Sequence, residues 1–71
     1  MKEEIIKFNK PTSFFGRNGI WEASGMDIST WDNYDQIEII PITSRNKLAS
    51  CRINIPKEHL QEFINKLQTF L

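Results

Sequence analysis

Four short stretches of the chain read as β-strands, with a loose alternation of apolar and polar residues in the first and a clear alternation in the last two. They are followed by one segment whose apolar residues recur at helical spacing. The four predicted strands are residues 3–8, 20–28, 36–43 and 48–55. We therefore expect one small α+β domain over residues 1–71, in which a four-stranded antiparallel, meander-like sheet is followed by one C-terminal helix packed on one face.

Turn-forming residues separate the predicted strands. Asn9-Lys10-Pro11-Thr12 should end the first strand, because proline lacks the N–H group that a ladder needs. Asn18-Gly19 is a strong signal for a two-residue hairpin turn, and residues 43–47 form a polar loop. Gly25 predicts a bulge or bend in the second strand, and Pro41 predicts an edge strand, a bulge or an early end in the third.

The last strand and the helix define the expected core. In the strand, the alternating residues that should face the core are Ala49, Cys51, Ile53 and Ile55. The helix opens at Pro56, and its apolar stripe consists of Leu60, Phe63, Ile64, Leu67 and Phe70. We expect this stripe to pack against Ile37, Cys51 and Ile53.

One helix covers only one face of the sheet. The opposite face should carry Ser50, Arg52 and Asn54, together with one of the two tryptophans. That face is then solvated, covered by a partner, or used as a binding surface.

The composition limits how so small a domain can be stabilised. A chain of 71 residues buries only about 60% of its unfolded surface, so its core is small. The lone Cys51 cannot form an internal disulfide, and with the lone His59 it cannot supply a zinc site. We therefore expect a reducing compartment, no metal and no cofactor. A well-packed monomer or an oligomer remains, and of these we favour a homodimer.

No segment approaches the ~20 apolar residues that a membrane span needs. The first six residues are too acidic, and their apolar run too short, for a secretory signal. We expect a cytoplasmic protein without a membrane partner.

Nine basic and nine acidic residues cancel, but they are segregated along the chain. Residues 19–38 carry acidic side chains and no basic one, whereas residues 39–57 carry basic side chains and no acidic one. Either the two segments complement each other as neighbouring strands, or the second segment forms a basic face.

The residues give no sign of an enzyme. The three glycines lack the spacing of a phosphate-binding loop. Asp32 and Asp35 fit a turn better than acid–base chemistry, because aspartate side chains bond to turn backbones. A catalytic pair of Cys51 and His59 is disfavoured, because the cysteine is expected in the core and the histidine at the surface.

Aromatic and basic residues are the candidates for binding. The aromatic set, Phe14, Phe15, Trp21, Trp31 and Tyr34, could form the core, an interface or a platform on which nucleic-acid bases stack. Arg45, Lys47 and Arg52 are the nearest cations. Arg52 could contact nucleic acid from the open sheet face, or it could form a structural ion pair with Glu38 across the strands.

Two segments in the second half of the chain carry a family resemblance, namely Trp31-Asp32-Asn33-Tyr34-Asp35 before a strand and Ile53-Asn54-Ile55-Pro56 running into a helix. In these segments the chain resembles the transcriptional positive-coactivator family of single-strand DNA-binding domains. The resemblance implies a homodimer with Arg45, Lys47 and Arg52 near nucleic acid. Two features depart from the family, namely an acidic second strand and Ser44-Arg45-Asn46-Lys47 where a turn of glycine and lysine is usual.

Two functions from different classes follow from these patterns. The first is a homodimeric module for single-stranded nucleic acid, in which Arg45, Lys47 and Arg52 contact phosphates and Trp21 or Trp31 stacks on bases. The second is a protein–protein interaction module, such as a phage- or plasmid-encoded inhibitor or accessory subunit. A continuous basic groove favours the first function, and a mixed or apolar patch favours the second.

Overall fold

The computed structural model describes residues 1–16, 19–44 and 46–71, and its strands form one open antiparallel sheet in the order β1-β2-β3-β4. The strands are β1 (Lys2–Gly16), β2 (Gly19–Thr30), β3 (Gln36–Ile42) and β4 (Ile53–Pro56). A 3₁₀ turn at Lys57–His59 leads into the helix α1 (Leu60–Gln68). The predicted α+β fold is therefore confirmed. None of the described helices is long and apolar enough to cross a membrane.

The first strand is longer than predicted, because it continues through residues 9–12. Its pairing with β2 slips there, since Lys7 is opposite Gly25 whereas Thr12 is opposite Ala23. The residues of β1 between these pairs form a bulge against a single residue of β2. Pro11 lies within this bulge on an edge strand, where its missing N–H group interrupts no ladder. The prediction that these residues end the strand was wrong for this reason.

Two glycines are required by the backbone geometry. A Cβ atom at Gly25 would collide with the backbone oxygen of Ile6 on β1, so the predicted irregularity lies here, with the extra residues on β1. Gly19 has a φ of +123°, which L side chains rarely adopt, and it pairs with Gly16. The turn predicted at Asn18-Gly19 falls partly outside the described residues.

Beyond the bulge, β1 and β2 continue as a two-stranded arm, residues 12–16 and 19–23, which we call the hairpin arm. Phe15 is opposite Ile20 in this arm, and both side chains are exposed. The pairing of β3 with β2 covers only residues 25–29, so β3 does not extend along the arm.

The fourth strand is shorter than predicted. Ala49–Cys51 forms a 3₁₀ turn, in which the Cys51 N–H donates to the Leu48 carbonyl oxygen at 3.0 Å. The turn supplies the hydrogen bond that a neighbouring strand would otherwise provide. The side chains of this turn are small, so they would bury little apolar surface in a strand. Their alternation of apolar and polar residues was therefore not enough to make this segment a strand.

The core set predicted for that strand is wrong for two of its members. Ala49 is exposed and Ile53 is 61% exposed, whereas Cys51 and Ile55 are half-buried. The cause is the shortened strand, which pairs with β3 only from residue 53 to residue 56.

Residues directly opposite each other on antiparallel strands share a face of the sheet. Ile28 is opposite Ile39, and Ile37 is opposite Ile55. These four isoleucines form the helix face, which α1 approaches. The other side of the sheet carries four polar residues, Glu3, Asp27, Ser29 and Glu38, which we call the ion-pair face.

The most buried side chains do not lie under the helix. The described residues that are buried and carry a side chain are Ala23, Asp27, Ser29, Glu38 and Ile40, and three of these belong to the ion-pair face. No residue of α1 is buried. The helix stripe faces Ile37 as predicted, but Cys51 and Ile53 do not line the space beneath it.

Candidate functional site

An apolar groove of about 370 Å³ separates α1 from the helix face of the sheet. The sheet contributes Ile28, Ile37, Ile39 and Ile55 to its lining. The helix contributes Leu60, Phe63, Ile64 and Leu67. The predicted stripe therefore faces the sheet, but it leaves an opening that its own side chains do not fill.

The helix is anchored to the sheet close to its N-terminal end. The Lys57 N–H donates to the Asp35 carbonyl oxygen at 2.8 Å, at the start of the 3₁₀ turn that leads into α1. Leu60 is half-buried there, whereas Leu67 in the last turn is 50% exposed and Phe70 after the helix is largely exposed. The stripe thus becomes more exposed along the helix, and the groove is accessible from solvent.

Polar side chains border the groove on the side of β1. Lys2 and Glu4 of the edge strand, with Ser29 and Thr30 of β2, complete its lining. The Thr30 hydroxyl donates to the Gln36 carbonyl oxygen at 2.8 Å, so its hydrogen-bond donor is already used within the chain. An apolar centre with a polar border is the composition of protein interfaces.

The opposite side of the sheet contains ion pairs beside apolar side chains such as Ile40, which lies opposite Asp27. The Lys47 Nζ lies 3.2 Å from the Glu3 Oε2 and 3.3 Å from the Asp27 Oδ2. The Arg52 Nη1 lies 3.4 Å from the Glu38 Oε1. These contacts favour the interpretation that the acidic and basic segments of the chain complement each other.

Asp27 is the most deeply buried ionisable residue of this cluster, at 1% exposure. Its Oδ1 has no hydrogen-bond partner among the described residues. The cost of burying the carboxylate is therefore offset mainly by the contact of Lys47 with the Oδ2. The hydrogen bonds to Glu3 and Asp27, together with their charges, raise the pKa of Lys47 above its ordinary value of 10.5. Sequence reasoning anticipated the pairing of Arg52 with Glu38 but missed that of Lys47, because Glu3 is distant in sequence.

Of the residues predicted to contact nucleic acid, those that the structure describes are not gathered at one place. Lys47 and Arg52 both contact carboxylates of the ion-pair face. Trp21 lies in the hairpin arm and Trp31 follows the other end of β2, roughly 30 Å apart along an extended strand. Arg45 lies outside the described residues. Their role in nucleic-acid binding stays a prediction.

Trp31 belongs to a turn that the sequence predicted. The Tyr34 N–H donates to the Trp31 carbonyl oxygen at 3.1 Å, and the two rings meet edge to face with centroids 5.8 Å apart. Asp32 and Asn33 occupy the turn between them. Trp31 remains exposed beside a wide recess, so its ring is accessible to a ligand.

The residues considered as possible catalytic or metal-binding groups are dispersed in the described part of the chain. The described residues include no group of three or more histidine, cysteine and acidic side chains that could hold a metal ion. His59 lies on the exposed first turn of the helical segment, near Glu58 and Glu62 at 3.7 and 3.6 Å. Cys51 is a half-buried free thiol whose Sγ lies 4.0 Å from the Ser50 hydroxyl.

No family model, curated protein or solved structure matches this chain.

Proposed function

We propose that this chain is a non-enzymatic protein-interaction module that binds its partner in the apolar groove between α1 and the helix face. The observation that carries this proposal is the lining of the groove, in which apolar side chains of two elements face each other across an open space. A folded protein gains little from leaving such a surface in contact with water, so a covering partner is the simplest use of it.

The groove suits an apolar segment of a partner protein. Covering a fully exposed leucine or phenylalanine side chain contributes about 1.5–3 kcal/mol, so the half-exposed Leu67 offers roughly 1 kcal/mol. Several such side chains together support specific binding. The polar border formed by Lys2, Glu4 and Thr30 would set the position and orientation of the partner.

A pair of variants in the last turn of α1 tests this function. Leu67→Glu places a charge in the groove lining, whereas Gln68→Glu places the same charge one residue later, outside the lining. Both carry the same unfavourable interaction with the helix dipole. After nuclease treatment, a stoichiometric protein partner should be retained by the wild type and by Gln68→Glu and lost by Leu67→Glu. Retention by all three would contradict the proposal.

Binding of single-stranded nucleic acid is the second candidate, and the exposure of both tryptophans favours it. Trp21 and Trp31 each present an accessible ring, on which a base could stack with about 1–3 kcal/mol. The ion pairs of Lys47 and Arg52 weigh against it, since a phosphate would compete with buried or partly buried carboxylates for these cations.

Titration of labelled single-stranded oligonucleotides at low and rising salt tests this second candidate. The logarithm of the affinity should fall against the logarithm of the salt concentration with a slope of about −0.7 per phosphate contact. Trp31→Ala should weaken binding if the ring stacks on a base. An absence of binding at low salt would exclude this function.

A further inference from the structure

The chain exposes more surface than a folded monomer of its size should. Its accessible surface is 5974 Å², whereas a compact monomer of 8.4 kDa exposes about 4,600 Å². The radius of gyration is 13.0 Å, against about 11 Å for a compact chain of this length. Each chain therefore has a surplus of about 1,400 Å² that a second molecule could cover.

The exposed surface of the described residues includes two apolar regions that differ in shape, since the hairpin arm projects whereas the groove is concave. The hairpin arm projects Phe15 and Ile20 into solvent. The groove, by contrast, is lined by side chains from α1 and the sheet, and the exposed Phe70 continues its helical side beyond α1. A concave surface encloses an inserted side chain on several sides, so the groove offers more contact for each apolar group that enters it.

We propose that the groove is closed by a second copy of this chain, which deepens the proposed function and rests on it. The surplus of about 1,400 Å² lies in the range of 1,000–2,500 Å² that each partner buries in an obligate homodimer. The formal net charge is zero at pH 7, so no long-range repulsion opposes self-association.

The stripe on α1 can serve both as a lining and as an occupant. In a dimer with two-fold symmetry the same patch is used by both copies, so a suitable patch must carry both projecting side chains and an opening. Leu67 and Phe70 project at the C-terminal end of the stripe, and the groove lies beside them. Each copy can therefore place these side chains in the opening of the other.

The test measures mass in solution and access to the groove on the same four proteins. They are the wild type, Leu67→Glu, its matched control Gln68→Glu, and Phe15→Glu in the hairpin arm. Sedimentation velocity and native mass spectrometry give the mass between low micromolar and high micromolar concentration. The fluorescence of 8-anilinonaphthalene-1-sulfonate reports whether an apolar groove is open, and circular dichroism verifies that each variant is folded.

We expect a dimer for the wild type, Gln68→Glu and Phe15→Glu, and a folded monomer for Leu67→Glu with its dissociation constant raised at least tenfold. A dimer that is lost in Phe15→Glu and kept in Leu67→Glu would overturn the proposal and place the contact on the arm. A monomeric wild type that binds the dye would overturn the second copy as occupant, while leaving the groove available to a different protein. A monomeric wild type without dye binding would overturn the proposed function as well.

Discussion

Replacing Arg52 by methionine separates the two roles that this residue could have. The guanidinium group lies 3.4 Å from the Glu38 carboxylate. Methionine keeps an unbranched, apolar side chain at this position but removes the charge. If the ion pair is structural, Arg52→Met lowers the free energy of unfolding. If Arg52 mainly serves an external phosphate, the variant leaves the stability of the free protein unchanged.

The burial of the two partners sets the expected magnitude. The Glu38 side chain is only 7% exposed, whereas that of Arg52 is 53% exposed. Breaking a fully buried pair costs about 3–5 kcal/mol, and losing a fully exposed pair costs about 0.2–1 kcal/mol. Because Glu38 is buried and Arg52 is exposed to solvent, we expect the free energy of unfolding to fall by about 1–3 kcal/mol. For a domain of this size each kcal/mol corresponds to a shift of about 4–8 °C in Tm.

Urea unfolding at a fixed protein concentration measures this loss. Lys10→Met is the control, because Lys10 is an exposed cation and such substitutions change stability by less than about 0.5 kcal/mol. The double variant Glu38→Gln/Arg52→Met should recover part of the loss, since the buried carboxylate is then gone. An Arg52→Met protein as stable as the wild type would refute the structural assignment.

Two further predictions concern β1 and the ion-pair face. Gly25→Ala should lower the free energy of unfolding by about 1–3 kcal/mol, measured in urea, because the added Cβ meets the Ile6 backbone oxygen, which moves only if β1 moves. For Lys47, a pKa raised by folding means that its contribution to stability is complete below about pH 10.5 and is lost as the pH rises through the folded-state pKa. Thermal unfolding should therefore show an alkaline loss of stability that is smaller in Lys47→Met. An equal loss in both proteins would contradict this assignment.

The regular parts of the fold were predictable from the residues, but among the irregular parts only those marked by a glycine or a turn sequence, such as Gly25 and the turn after Trp31, were predictable. The spacing of Leu60, Phe63 and Leu67 predicts a helix whatever it packs against, because a period of 3.6 residues is a local property. The bulge around Pro11 depends on how β1 pairs with β2, which alternation along one strand does not contain. Alternation also fails at Ala49–Cys51, where a tight turn satisfies the backbone as well as a strand would.

Of the candidate site, only the apolar stripe of α1 was predictable from the sequence. Alternation and periodicity separate two sets of residues, but they do not reveal which set is buried more deeply. Asp27 is almost fully buried because Lys47 compensates it from a distant part of the chain, and Ile53 is exposed although it is apolar. The gap between α1 and the sheet depends on where the helix is anchored, and that anchor is a backbone hydrogen bond between Lys57 and Asp35.

The two faces of the sheet are covered in different ways, and the concentration dependence of stability can distinguish them. The ion-pair face is covered by cations of the same chain, so variants of Lys47 and Arg52 should change the stability of each molecule at any protein concentration. The groove at the helix face lacks such a cover among the described residues, so its completion depends on mass action. A Tm that rises with protein concentration in the wild type and in Arg52→Met, but not in Leu67→Glu, would assign self-association to the helix face. A Tm independent of concentration in all three proteins would exclude it.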